Sequence, residues 1–149
     1  MGKTFVSCLL HVVFGTAEQK KLLSAEIRSK LSPYIAAVAR SKGVNMVSMG
    51  GTENHIHLLI ALPACLSVES AILPLKQGSE TWLKQHFNEL AGFRWQKGFA
   101  SFSISRSQLD QTLNYIQYQE KYHWKKTFEE EYEEFLEWHH LPHKKGDIF

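Results

Sequence analysis

Cysteine is scarce in this sequence. Cys8 and Cys65 are the two in 149 residues, and they form no C-x-x-C pair, which excludes zinc or redox chemistry of that kind. Each lies in an apolar stretch that reads as strand or strand end, so two buried free thiols in a reducing compartment are expected. Long apolar runs are also missing, and none approaches the ~20 residues of a membrane span. The opening Met1-Gly2-Lys3-Thr4-Phe5 lacks the layout of a signal peptide, and the expected location is the cytoplasm. There is no internal repeat and no low-complexity segment. What remains is a chain of one-domain length with 44% apolar residues, enough to build a core.

An excess of one charge sign is nearly absent overall, with 17 Lys/Arg against 15 Asp/Glu for a formal +2, but the charge is unevenly distributed. Residues 1–128 hold 15 Lys/Arg and 8 Asp/Glu, whereas residues 129–149 hold 2 and 7. A basic body suits a polyanionic partner, and the acidic stretch Glu129 to Glu137 reads as a solvated helix face. Its apolar positions Phe128, Tyr132 and Phe135 suggest packing on the body or on a partner subunit.

Periodicity gives the order of elements. Residues 4–14 (TFVSCLLHVVF) are apolar on both alternating faces and predict a central strand. Thr16 and Gln19 form a candidate capping box for a helix carrying Leu22, Leu23, Ile27 and Leu31 on one face. Pro33 is expected to break or kink it, with Ser32 capping a second segment that ends at Gly43. Residues 44–49 and 55–62 predict two strands joined by a hairpin loop over Gly50-Gly51-Thr52-Glu53-Asn54. Ser67 caps a helix to about Phe87, which Pro74 and Gly78 should kink. Residues 97–104 predict a fourth strand. Ser107 with Asp110 is expected to cap a helix over roughly 108–124, with Leu109, Leu113 and Ile116 as its buried stripe. A last acidic helix covers about 127–139. This order is the split β-α-β motif of ferredoxin-like folds, an α+β class with an antiparallel sheet. The expected division is a core over 1–106, a further helix over 107–124, and an acidic C-terminal helix and tail over 127–149. Such a fold hosts many functions, so function must be read from side chains.

Two features carry chemistry. His55 and His57 lie two apart on a strand, so their imidazoles point to one side while Ile56, Leu58 and Ile60 point into a core. Two neutral imidazoles displayed from a rigid element suit one divalent cation, given a third ligand. On the late helix, Tyr115 and Gln119 are four residues apart, a rotation of about 40°, and can meet at one site. A cation on a phosphodiester's non-bridging oxygen withdraws charge and aligns it for attack. A tyrosine can then displace one DNA end as an alcohol. The phosphotyrosine has nearly the bond energy of the diester it replaces, so the step is reversible. A phenol with an ordinary pKa of about 10 needs activation near neutrality. A glutamine amide would supply a neutral oxygen to the cation.

The sequence resembles the single-tyrosine HUH transposases of small bacterial insertion sequences. The resemblance runs from about His11 to Trp138 through HVVF, GGTENHIHLLI, WQKGFASFSISRSQLD, YIQYQEKYHWKKTF and EEYEEFL, in that order. It implies His55 and His57 as metal ligands, Gln119 as the third ligand, and Tyr115 as the nucleophile, since Tyr115 opens the Y-I-x-x-Q phrase. It implies Mg²⁺ or Mn²⁺, single-stranded DNA bearing hairpins at the element ends, and a homodimer in which one subunit's tyrosine helix completes the other's histidine site. Tyr118 and Tyr122 have the spacing of the paired tyrosines in relaxase-type relatives, but Tyr122 and Lys126, not glutamine, lie four residues beyond them.

Candidate DNA contacts are Lys76, Arg106, Lys121 and Lys125 to phosphates, and Trp95, Phe99 or Trp124 as stacking platforms. His11 reads as a satisfied core histidine. Two other readings compete: a hairpin-binding relative without catalysis, and a zinc-dependent hydrolase. The hydrolase would need a further His, Asp or Glu beside the pair, and Glu53 is the one carboxylate close to it in sequence.

Overall fold

Alternating apolar residues build a four-stranded sheet. In the computed structural model, which describes residues 2–144 and Asp147, the strands are β1 (Leu9–Gly15), β2 (Asn45–Thr52), β3 (His55–Ala61) and β4 (Ala100–Ile104). Their order is β2-β3-β1-β4, with every neighbouring pair antiparallel. Helix α1 (Ala25–Ser41) joins β1 to β2, and α2 (Val68–His86) joins β3 to β4. The result is the ferredoxin-like α+β arrangement expected from the sequence. Tail positions 145, 146, 148 and 149, and Met1, lie outside the described residues.

The period of two splits the strand residues between two layers. Leu10, Val12 and Phe14 of β1 join Ile56, Leu58 and Ile60 of β3. With Ile27, Leu31 and Ile35 of α1 and Ile72, Leu75 and Leu83 of α2 they form the main core. The other face is closed by α3 (Leu109–Gln117), α4 (Gln119–Tyr122) and α5 (Phe128–Trp138). There Val13, Ala100 and Phe102 pack with Phe128 and Tyr132 of α5, and Phe135 and Leu136 lie against them. The acidic helix therefore packs through the apolar positions its periodicity marked. It starts on a capping box between Thr127 and Glu130, which satisfies two otherwise orphaned N–H groups.

Several elements differ from the expectation for physical reasons. β1 begins at Leu9, where its partners Ala61 and Ile104 end. Beyond one bond from the Leu62 N–H to the Cys8 carbonyl, residues 4–8 have no strand to pair with, and Phe5 and Val6 are exposed. Thr16 and Gln19 make no capping box; a 3-10 turn over Ala17–Gln19 precedes the helix, and Ser24 caps it by accepting from the Ile27 N–H. Pro33 lies inside an unbroken α1, because one missing N–H on an exposed side costs a single bond where packing holds the rest. Pro74 sits likewise within α2. Gly50 and Gly51 belong to β2, and the turn narrows to Glu53 and Asn54. Ser107 does not cap a helix; a 3-10 turn over Arg106–Gln108 leads into α3, and Tyr118 leaves helical geometry to separate α3 from α4. In α3, Ile116 alone of its expected stripe is fully buried. Cys65 is exposed and Cys8 half-buried, so the expectation of two buried thiols fails. Among the described residues no helix is long and apolar enough to cross a membrane.

Candidate active site

The parity of β3 turns His55 and His57 toward α3, α4 and α5, and their burial there is complete. β1 lies beside them, with Gly15 opposite His55 and Val13 opposite His57. Gly15 is a required glycine: a Cβ there would come within 2.4 Å of Phe128, whose ring stacks on His55 at 4.1 Å between centroids. Gly50 plays the same part under α3, where a Cβ would meet the Ile116 carbonyl oxygen at 2.0 Å. Two missing side chains thus let α3 and α5 approach the sheet closely enough for their polar groups to reach the histidines.

Those groups converge. Gln119, buried at the start of α4, places Oε1 3.1 Å from His55 Nε2. His123, one turn later, places Nε2 3.0 Å from the same oxygen. Glu131 enters from α5, and its Oε1 lies 3.3 Å from His55 Nε2, 3.1 Å from His57 Nε2 and 3.0 Å from His123 Nε2. Tyr115 of α3 donates its hydroxyl to the other Glu131 oxygen, Oε2. The expected quartet of His55, His57, Tyr115 and Gln119 is therefore assembled within one chain. The resemblance implied a tyrosine helix supplied by a partner subunit; here the same chain's α3 rests on its own β2 at Gly50.

Outer contacts orient the imidazoles. His123 Nδ1 faces the Lys126 carbonyl at 2.6 Å, and a carbonyl can only accept, so Nδ1 carries the proton and Nε2 presents a lone pair. His55 Nδ1 lies 2.9 Å from Asn54 Oδ1 and His57 Nδ1 lies 2.7 Å from His11 Nε2. Acceptors at Lys126 and Asn54 thus favour a proton on Nδ1 of His123 and His55, and the contact with His11 allows the same tautomer for His57, in which each Nε2 facing Glu131 carries a lone pair. Burial pushes His55 down to about 4 and His11 down to about 3, with like-charge repulsion from His57 adding to both. Burial works to raise the Glu131 carboxyl, but charge and hydrogen-bond donation from the imidazoles of His57, His123 and His55, when those rings are protonated, outweigh it and hold the carboxyl well below the usual carboxylate range. Burial, and then the neighbouring Glu131 carboxylate, push the Tyr115 hydroxyl far above an ordinary phenol.

Neutral imidazole lone pairs, an amide oxygen and a carboxylate oxygen are all acceptors. A buried cluster of acceptors without a donor among them is costly, and a cation at its centre satisfies every member. His55, His57, His123 and Glu131 have ligand atoms within 4.8 Å of one another. This donor set fits a divalent metal ion.

Two groups in the cluster escaped the sequence reading. His123 is four residues after Gln119, a spacing that puts both on one helix face, so a signal was present. Glu131 gave none, since it lies in an acidic run and was expected on a solvated face, yet it is 1% exposed. The candidate DNA contacts divide. Arg106, Lys121, Lys125 and Trp124 are exposed, and Phe99 is half-buried. Lys76 and Trp95 are buried, which leaves neither on a surface that DNA could reach in this structure. The Lys76 ammonium donates to the carbonyls of Gln96 and Gly98, and the Trp95 indole donates to Ser79 at 2.9 Å. Two grooves reach the cluster. One of about 400 Å³ is lined by Tyr115, Tyr122, Glu131 and Phe135. The other, of about 710 Å³, is lined by Lys21, Arg28, His123, Trp124 and Lys126.

Comparison with known proteins places the chain, rather than the details of the site, in a family. The model of a family described as "Transposase IS200 like" matches residues 4–119. Transposases for insertion sequence element IS200 from Salmonella typhimurium and Salmonella typhi are each 26% identical over 90 residues, 60% of this chain. The aligned part spans 59% of each Salmonella protein, less than two thirds of its length. Among solved structures, a candidate transposase from Deinococcus radiodurans R1 shares the fold at a TM-score of 0.63 and 19% identity, over 78% of this chain and 94% of that one. A REP-associated tyrosine transposase bound to a REP hairpin shares it at 0.56 and 16%, over 78% and 68%. With a family match across most of its length and the matching fold, the chain belongs to the IS200-like transposase family.

Proposed function

We propose that this protein is a DNA transposase that cleaves and rejoins single-stranded DNA through a 5′-phosphotyrosine on Tyr115. His55, His57 and Gln119 would hold the divalent cation, Mg²⁺ or Mn²⁺. The observation that carries this reading is the meeting of Tyr115, Gln119 and the histidine pair in one buried site. When bound, the cation would offset charge on a non-bridging phosphate oxygen and lower the cost of attack. Tyr115 forms the new P–O bond as its O–H bond breaks, and the DNA 3′ oxygen leaves and takes up a proton. Rejoining is the same step in reverse, with a 3′ hydroxyl as nucleophile and Tyr115 as leaving group. His55 stays unprotonated because burial disfavours its charged form, which keeps its lone pair available. The nucleic-acid partner would be a single strand with hairpins at the element ends. A hairpin on the REP-associated neighbour supports this choice. Arg106, Lys121 and Lys125 would neutralise phosphates, and a homodimer remains the proposed assembly.

The test uses a labelled single strand carrying a hairpin and a cleavage site. A covalent protein–DNA adduct is expected, abolished by EDTA and by Tyr115→Phe, with hairpin binding retained in that variant. An undiminished adduct in Tyr115→Phe would refute the assignment. The extra His123 and Glu131 beside the pair also favour a second reading, a metal-dependent hydrolase. That enzyme would release two free DNA ends and form no adduct.

A further inference from the structure

We propose that His123 and Glu131 complete a five-donor centre of three nitrogens and two oxygens that takes a transition-metal dication in preference to Mg²⁺, and that the second oxygen of Glu131 positions Tyr115 at that centre. The inference rests on the transposase reading of the same site and extends it to residues beyond the family-matched segment, which ends at residue 119.

Spacing supports the ligand set. Donors at right angles around a cation, each at about 2.1 Å, lie about 3 Å from one another. Glu131 Oε1 is 3.0 to 3.3 Å from the Nε2 atoms of His55, His57 and His123, and Gln119 Oε1 is 3.1 and 3.0 Å from two of them. These separations match the edges expected of such a coordination polyhedron. An open sixth position would admit a phosphate oxygen. Orientation supports it as well, since the Nδ1 contacts to Asn54, His11 and Lys126 turn each Nε2 inward.

Donor chemistry sets the preference. Mg²⁺ favours oxygen ligands and retains its waters, whereas imidazole suits first-row transition metals. Three imidazoles in a site where the side chains of His55, His57, His123 and Glu131 are 0–11% exposed would leave Mg²⁺ few of the oxygens it requires. Glu131 also has two distinct duties at its two oxygens. Oε1 faces the imidazoles while Oε2 receives the Tyr115 hydroxyl. The carboxylate thereby fixes the distance between ion and nucleophile. It is itself fixed by the capping box of α5 and by Phe128 stacked on His55.

Full-length protein is stripped with EDTA and titrated with Mn²⁺ by calorimetry and electron paramagnetic resonance. One Mn²⁺ per chain is expected, retained against a large excess of Mg²⁺. Glu131→Gln and His123→Ala should each weaken Mn²⁺ binding by about tenfold or more. At saturating Mn²⁺, Glu131→Gln should lower kcat for adduct formation and leave KM for DNA unchanged. Spin-echo modulation on the unaltered protein should count three bound imidazoles, which keeps the test valid if a variant misfolds. Two imidazoles, or wild-type Mn²⁺ affinity in both variants while His57→Ala loses it, would overturn the five-donor centre and spare the transposase reading. Displacement of Mn²⁺ by equal Mg²⁺ would overturn the preference, and a wild-type kcat in Glu131→Gln would overturn the positioning role. Unaltered binding in His57→Ala would instead sink the metal reading as a whole.

Discussion

Gly50→Ala tests whether the tyrosine helix rests on β2. A Cβ at position 50 would lie 2.0 Å from the Ile116 carbonyl oxygen and 2.9 Å from Ile116 Cγ2, where ordinary contact begins at 3.4 Å. The obstacle is backbone, so no rotamer change relieves it, and α3 must lift by roughly 1.4 Å, or β2 must sink by as much. Overpacking of this kind costs about 1–3 kcal/mol. For a chain of this size that is a fall in Tm of about 2–12 °C. Tyr115 is one residue from the contact, and a displacement near 1 Å costs ~10²-fold in the rate of an aligned reaction. Calorimetry gives the first quantity. The rate of adduct formation on the hairpin strand, measured 20 °C or so below the variant's own Tm to keep it folded, gives the second. A substituted protein that melts and reacts like the unaltered one would refute the close approach of α3 to the sheet. A lower Tm with an unchanged rate would mean that Tyr115 does not act from this position.

Three other expectations can be checked directly. Mixing Tyr115→Phe with His57→Ala should restore no adduct on the proposed reading, in which one chain brings its own Tyr115 to its own histidine cluster; restored activity would mean that subunits exchange the helix. Between pH 6.5 and about 4 the unfolded chain protonates His55 and the folded chain does not, so stability falls with acidification by about 3 kcal/mol from this group. Glu131, depressed in the fold, adds loss of the same sign further down; a urea midpoint that stays level from pH 7 to 4.5 would contradict the burial of His55. Lys76→Met should lower stability by about 1–3 kcal/mol, since the Gln96 and Gly98 carbonyls lose their donor. The salt dependence of hairpin binding should stay unchanged in that variant, which a filter-binding series would show.

The sequence by itself determined the sheet and half of the site. Period-two apolar residues and two histidines two apart are local facts, and a strand turns them into a core face and a ligand face whatever else the chain does. Helical spacing brought Tyr115 and Gln119 toward one side, although the chain leaves helical geometry at Tyr118 between them, and the turn from Gln119 carried His123 to the same place. The limits of the strands were less legible, because residues 4–8 look like strand until the partners run out at Ala61 and Ile104. Tertiary structure alone decided the roles of Glu131, Lys76 and Trp95. An acidic residue in an acidic run resembles its neighbours until α5 is laid across the sheet and one carboxylate of the six in that stretch turns out to face three imidazoles. Lys76 looks like a surface cation until two backbone carbonyls close around it. Local periodicity fixes which way a side chain leaves its own element, whereas its partner depends on contacts between residues far apart in the chain, and those exist only once the layers have packed.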